Sequence, residues 1–299
     1  MISEITKIAL LIDAENISYK YIETIFDELK TRGNVTIRRI YTDVSKEQAK
    51  PWVDVINKYA IIPVQQFRNT VGKNSSDMAL VIDAMDILYK DPVDIFCIAS
   101  SDSDFARLAS RLRQSGKQVI GMGESKAPRS LVNSCDKFLY LDVITEDEEN
   151  STAVEENILP LREIKSDILE YLENEGVAQI SRIKDYLQSK HPDFDTRNYG
   201  CSKFSKFMEL FKDEIELKVV KRTISANLKG SQKRQEIEEF VINTINQSKN
   251  KSVNIGQLNN IVKEKYPDFT PKDYGYKQVK LFFTSIDGVV LNQHNATLR

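Results

Sequence analysis

Asp102-Ser103-Asp104-Phe105 follows directly on the apolar run Ile95-Phe96-Cys97-Ile98-Ala99, so two carboxylates one residue apart emerge where a buried strand ends. Ligand and catalytic groups of α/β proteins gather at that edge. Two further stretches join apolar runs to acids: Ile8-Ala9-Leu10-Leu11-Ile12-Asp13 with Asn16, and Asp77-Met78-Ala79-Leu80-Val81-Ile82-Asp83. Asp13, Asp102 and Asp104 lie just beyond strand ends, and Asp77 opens a helix after the turn Gly72 to Ser76. Carboxylates brought within a few Å repel one another unless a divalent cation neutralises them. An all-oxygen donor set suits Mg2+ or Mn2+, ions that orient water for in-line attack on a phosphodiester.

The elements around these acids alternate. Strands are expected at Ile8–Ile12, Asn34–Tyr41, Ile61–Gln66, Ile95–Ala99 and Gln118–Met122, with a short edge strand at Phe138–Leu141. Between them, apolar residues at helical spacing mark helices at Ser18–Thr31, Lys46–Lys58, Asp77–Tyr89 and Asp104–Ser115. Strands separated by helices imply a parallel sheet covered on both faces.

Of the 299 residues, 41% are apolar and 29% charged, and no run approaches the roughly 18 uncharged apolar residues of a membrane helix. The first residues lack the basic and apolar regions of a secretory signal, so the expected compartment is the cytoplasm. Cys97, Cys135 and Cys201 fit reduced thiols better than a disulfide framework or a zinc site. The two histidines, His191 and His294, both lie in the second half, which disfavours Ser-His-Asp or histidine-rich zinc chemistry in the first. Basic and acidic side chains balance in residues 1–145; residues 146–158 hold six acids and no base; residues 159–299 carry an excess of four bases. That excess permits a local nucleic-acid patch without demanding one.

The second half repeats itself. Lys190-His191-Pro192-Asp193-Phe194 with Tyr199-Gly200 recurs as Lys265-Tyr266-Pro267-Asp268-Phe269 with Tyr274-Gly275, at an offset of 75 residues. Each copy has two apolar-periodic helices before the motif, an aromatic helix after it and a short β-rich end, Ile215–Val220 or Gly288–Leu291. Such a unit is winged-helix-like. Residues 221–236, rich in Lys and Arg, read as the joint between copies.

Three segments, Leu11-Ile12-Asp13-Ala14-Glu15-Asn16, Ser76-Asp77-Met78-Ala79-Leu80-Val81-Ile82-Asp83 and Ala99-Ser100-Ser101-Asp102-Ser103-Asp104-Phe105, resemble the signature of the NYN domain, a PIN-like, metal-dependent ribonuclease fold that includes LabA-like bacterial proteins. The resemblance spans about residues 6–142. It implies Asp13, Asp77, Asp102 and Asp104 as metal-binding carboxylates with Asn16 beside them as a polar catalytic-site residue. The family usually has Gly where Ser101 stands and Val or similar where Ser76 stands; neither change removes an acid. The repeated Pro-Asp-Phe and Tyr-Gly motif resembles the OST-HTH or LOTUS domain, an RNA-associated module also implicated in protein contacts. The expected organisation is therefore an α/β, PIN-like parallel sheet sandwiched by helices over residues 1–145. An acidic linker follows at 146–160, then one winged-helix-like α+β module at 161–222, a second linker at 223–235 and a second module at 236–299.

Simpler roles compete at several positions. Asp13 or Asp102 alone could cap the following helix. Asp83 lies about 600° around the helix from Asp77 and faces elsewhere, so Asp83 and Asp86 are weaker candidates. Glu15 could serve as an extra acid, with an exposed loop carboxylate as the simpler role, and Gly121-Met122-Gly123-Glu124 lacks the dinucleotide-binding spacing. In the modules, Phe194, Phe207, Met208 and Phe211 read as core. Lys203, Lys206, Lys272, Lys277 and Lys280 are candidates for RNA phosphate contact, with Lys218, Lys221 and Arg222 near the first wing. The expected function is a metal-dependent ribonuclease with its own RNA-binding arm; the alternative is a non-catalytic RNA-binding or protein-adaptor regulator with a vestigial acidic pocket.

Overall fold

Strand β1, Lys7–Asp13, is buried at every position after Lys7, and its side chains divide between two cores. Ile8, Leu10 and Ile12 join one apolar cluster and Ala9 and Leu11 the other, as the two-residue repeat of a strand buried on both faces requires. A computed structural model of the chain describes residues 6–42, 50–65, 75–145, 158–220, 222–274, 276–292 and 294–298.

Helix α1 (Ile22–Lys30) follows a 3-10 turn at Tyr19–Tyr21, and then come β2 (Asn34–Thr42), α2 (Lys50–Tyr59), β3 (Ile62–Gln65) and α3 (Ser75–Lys90). Next are β4 (Ile95–Ala99), a 3-10 turn at Ser103–Phe105, α4 (Ala106–Gln114), β5 (Gln118–Gly123), α5 (Arg129–Ser134), β6 (Lys137–Tyr140) and α6 (Leu141–Ile144). The six strands form one parallel sheet in the order β3-β2-β1-β4-β5-β6. Ile22, Ile25, Phe26, Leu29 and Trp52 cover one face, and Leu80, Ala84, Ile87, Leu108 and Leu112 the other. Helix α5 was not anticipated, since its six residues are too few to show a period. The expected helix start at Lys46, the strand end at Gln66 and the turn residues 72–74 lie outside the described residues, as does most of the acidic linker.

The second half contains α7 (Leu161–Glu175), β7 (Val177–Gln179), α8 (Ile180–Lys190), α9 (Phe204–Glu209), β8 (Ile215–Val220) and β9 (Thr223–Leu228). It continues with α10 (Ser231–Gln247), β10 (Ser252–Asn254), α11 (Ile255–Lys265), α12 (Val279–Thr284), β11 (Val289–Asn292) and β12 (Asn295–Leu298). Two antiparallel three-stranded sheets result, ordered β7-β9-β8 and β10-β12-β11. Stretch 223–235, expected as a linker, holds β9 and the start of α10. Its strand was obscured because Thr223-Ile224-Ser225-Ala226-Asn227-Leu228 has few large apolar residues and is flanked by charge and glycine.

By compactness the chain falls into two units, Met1–Ile168 with Ser181–Glu209, and Leu169–Ile180 with Leu210–Arg299. In the first, α8 and α9 accompany the parallel sheet. The backbone N–H of Phe138 on edge strand β6 donates a 2.8 Å bond to the Pro192 carbonyl, satisfying a group that an open sheet edge would expose. In the second, Ile237, Val241, Ile245, Leu258, Val262, Phe269, Phe282 and Phe283 form one core. The positions expected as core, Phe194, Phe207, Met208 and Phe211, are buried. Among the described residues no helix is long and apolar enough to cross a membrane.

Candidate active site

The strand order reverses between β1 and β4: β2 and β3 continue on one side of β1, and β5 and β6 lie beyond β4. Loops leaving two such strands in opposite directions open a crevice at their C-terminal ends. Asp13 ends β1, and Asp102 and Asp104 follow β4, so the reversal places all three at that crevice.

Asp13 is buried, with 1% of its surface exposed, and a carboxylate there needs donors. Its Oδ2 accepts from Ser100 Oγ at 2.7 Å and from Asn16 Nδ2 at 2.8 Å, and its Oδ1 accepts from the Glu15 backbone N–H at 3.1 Å. Burial pushes the carboxyl above its ordinary pKa, and these three bonds oppose the rise. Ser100 Oγ also accepts from the Asp102 backbone N–H at 3.0 Å, coupling the two strand ends. Asp102 caps the 3-10 turn, its Oδ1 accepting from the Asp104 N–H at 2.9 Å. Its capping role and a place in the acidic cluster therefore coexist.

Asp77 lies in the first turn of α3. Its pKa is pushed up to about 6, first by burial and then by the negative charge of Asp13, Asp102, Glu15 and Asp104. The five acids thus share one electrostatic site, Glu15 included. Asp83, on the same helix, serves a structural end: Arg39 and Tyr41 of β2 both donate to its carboxylate, fixing α3 to the sheet.

Sequence reasoning underweighted Ser100, Ser101 and Gly123. Ser101 Oγ accepts from the Glu124 N–H at 2.9 Å, and a Cβ on Gly123 would stand 2.7 Å from the Ser100 carbonyl oxygen. Glycine here allows the β4 and β5 ends to meet closely, a contact between residues too far apart in sequence to show as a motif.

The donors are all oxygen and mutually repulsive, which is the chemistry that a hard divalent cation relieves. Among the described residues, no group of three or more His, Cys, Asp or Glu converges closely enough to hold one ion. Mg2+ needs no such cage, because it is commonly held by one or two carboxylates together with water and phosphate.

The five candidate RNA-contacting lysines, Lys203, Lys206, Lys272, Lys277 and Lys280, are all exposed. Lys203 and Lys206 precede or lie on α9; Lys272 is in the 3-10 turn Pro271–Tyr274, and Lys277 and Lys280 precede or lie on α12. Lys218 is half-buried with Glu216 at 3.5 Å, Arg222 is exposed before β9, and Lys221 lies outside the described residues.

The NYN domain family matches residues 7–142, and the OST-HTH/LOTUS domain matches residues 160–223 and 231–297. No curated protein matches the chain. Among solved structures, a protein of unknown function from Vibrio parahaemolyticus RIMD 2210633 is 19% identical, with 46% of this chain and 94% of that chain covered and a TM-score of 0.40. The chain therefore carries a PIN-like NYN domain followed by two OST-HTH/LOTUS domains.

Proposed function

We propose that this protein is a divalent-cation-dependent ribonuclease, with Mg2+ or Mn2+ held by Asp13, Asp77, Asp102 and Asp104 and RNA engaged by its OST-HTH/LOTUS domains. The observation that supports this reading best is the strand-order reversal that sets Asp13 beside the Asp102 loop, with Ser100 Oγ bonded to both, and the raised proton affinity of Asp77 beside other acids agrees with it. NYN is a nuclease-type domain and OST-HTH/LOTUS domains bind RNA, which supports the pairing of substrate and chemistry.

Each residue has a definable task. Ser100, Asn16 and the Glu15 N–H hold the Asp13 carboxylate in one orientation. Asp102 spends one oxygen on the turn and keeps the other for a cation. Asp77, ionised above about pH 6, adds charge from the first turn of α3. A divalent ion held by these carboxylates would supply positive charge to orient water and steady the leaving oxygen. Exposed Lys203, Lys206, Lys272, Lys277 and Lys280 contact backbone phosphate.

The dispersed donors favour a second reading, a non-catalytic RNA-binding or protein-adaptor regulator with a vestigial acidic pocket. One experiment separates the two. Purified full-length protein is incubated with labelled RNA under Mg2+, Mn2+ or chelator, beside Asp102→Asn. The ribonuclease reading expects cation-dependent cleavage, reduced about a hundred-fold or more in the folded variant. Tight RNA binding without cleavage under either ion would instead establish the regulator.

A further inference from the structure

At the other edge of the parallel sheet, where β5 and β6 begin, the first unit carries a cationic hollow. A cavity of about 320 Å3 is lined by Lys137, Lys184, Gln188, Asp195, Thr196 and Arg197, and a neighbouring one of about 220 Å3 by Arg32, Asp136 and again Lys137. Lys137 opens β6, beside the Phe138 N–H that holds Pro192, so the hollow is built jointly by the NYN domain and the loop and helix of the first OST-HTH/LOTUS domain.

Charge in the hollow is unbalanced. Arg197 is neutralised by Asp195, at 2.8 Å, and by Glu28. Arg32 reaches the same Glu28 only at 3.8 Å, and its Nε is buried without an acceptor. Among the described residues, half-buried Lys137 and exposed Lys184 have no hydrogen-bond or ion-pair partner. Three carboxylates, Asp195, Glu28 and Asp136, thus face four cations, and Asp136 is already paired with Arg113 at 2.8 Å. Burial and the nearby Arg32 guanidinium hold the Lys137 ammonium below its ordinary pKa, the response of a cation lacking its counter-charge.

We propose that this hollow binds a phosphate group of RNA through Lys137, Arg32 and Lys184, with Gln188 and Thr196 as neutral hydrogen-bonding groups. A phosphate supplies several acceptor oxygens at once, which suits an orphaned guanidinium Nε–H and two unpaired ammonium groups. The partner's identity rests on the RNA reading above, but the site lies roughly 20 Å from the acidic cluster, the length of a six-residue strand. It therefore holds RNA whether or not that cluster cuts.

Binding is measured on the full chain in chelator, which separates it from cleavage. The probes are short single-stranded RNA bearing a 5′-monophosphate, the same RNA with a 5′-hydroxyl, and inorganic phosphate. Lys137→Met and Lys184→Met are each expected to weaken affinity about ten-fold. A loss confined to the 5′-monophosphate RNA assigns a terminal phosphate; an equal loss for both RNAs assigns an internal phosphodiester. Wild-type affinity for both RNAs in both variants overturns the site, as does a loss seen with inorganic phosphate alone. Should Lys137→Met fail to fold, exposed Lys184 decides the question.

Discussion

Ser100 Oγ donates a 2.7 Å hydrogen bond to Asp13 Oδ2 across 87 residues of sequence, while accepting the Asp102 backbone N–H. One hydroxyl thus sets a buried carboxylate from β1 against the loop that leaves β4. Ser100→Ala is expected to cost about 1 to 3 kcal/mol, because it leaves a buried carboxylate short of one donor. RNA cleavage should fall about ten- to a hundred-fold from lost positioning, with Ser100→Thr retaining more activity than Ala. Unfolding curves and turnover for the two variants check this; equal activity in Ala and wild type would remove Ser100 from the site.

Asp77 supplies a pH-dependent signature. Its folded-state pKa of about 6 lies above the ordinary value of 3.8, so the native state holds this proton more tightly than the unfolded chain. The contribution to stability is therefore present below about pH 4 and is lost as pH rises through 6. In chelator at pH 7.5, Asp77→Asn should melt higher than wild type, by about 1 to 2 kcal/mol after allowance for solvent screening. The difference should vanish near pH 3.5, and calorimetry across that range reads it directly. Saturating Mg2+ or Mn2+ should narrow the gap at pH 7.5 by stabilising the wild type.

Gly123 tests the close approach of β4 and β5. An added Cβ would meet the Ser100 carbonyl oxygen at 2.7 Å and the Phe138 ring at 2.9 Å, and neither backbone nor a buried ring yields easily. Gly123→Ala should destabilise by about 1 to 3 kcal/mol. Because the displaced atoms belong to Ser100, cleavage should fall as well. Urea denaturation and a cleavage assay on the same sample measure both effects.

The two Pro-Asp-Phe motifs predict unequal mutants. Asp193 has a side chain only 1% exposed, and its Oδ2 accepts from Arg129 at 2.6 Å and Tyr140 at 3.1 Å. Its counterpart Asp268 is 89% exposed. Asp193→Ala should cost about 3 kcal/mol by removing the buried acceptor that Arg129 and Tyr140 share, whereas Asp268→Ala should stay within about 0.5 kcal/mol. Matched thermal melts of the two variants decide it, and equal shifts would contradict the asymmetry.

The alternation of apolar runs and amphipathic segments was enough to place every strand of the large sheet, because burial on one or both faces leaves a period in the sequence. Helices α5 and α6 and strands β7, β9, β10 and β12 escaped that reading, most of them being short and β9 poor in large apolar residues. The acids were legible as a set through their positions after apolar runs. Ser100, which orients one of them, was not, since a serine after a strand is common and its partner stands 87 positions away.

By itself, then, the sequence determined the α/β alternation, the order of the acidic segments and the repeat at 75-residue spacing, all properties of local pattern. Only tertiary structure decided that β1 lies beside β4, which brings Asp13 against the Asp102 loop, and that the Asp of one Pro-Asp-Phe motif is buried against the NYN domain while Asp268 of the other faces solvent. Local pattern records which faces are buried. It does not record which distant surface buries them, and the site depends on that second choice.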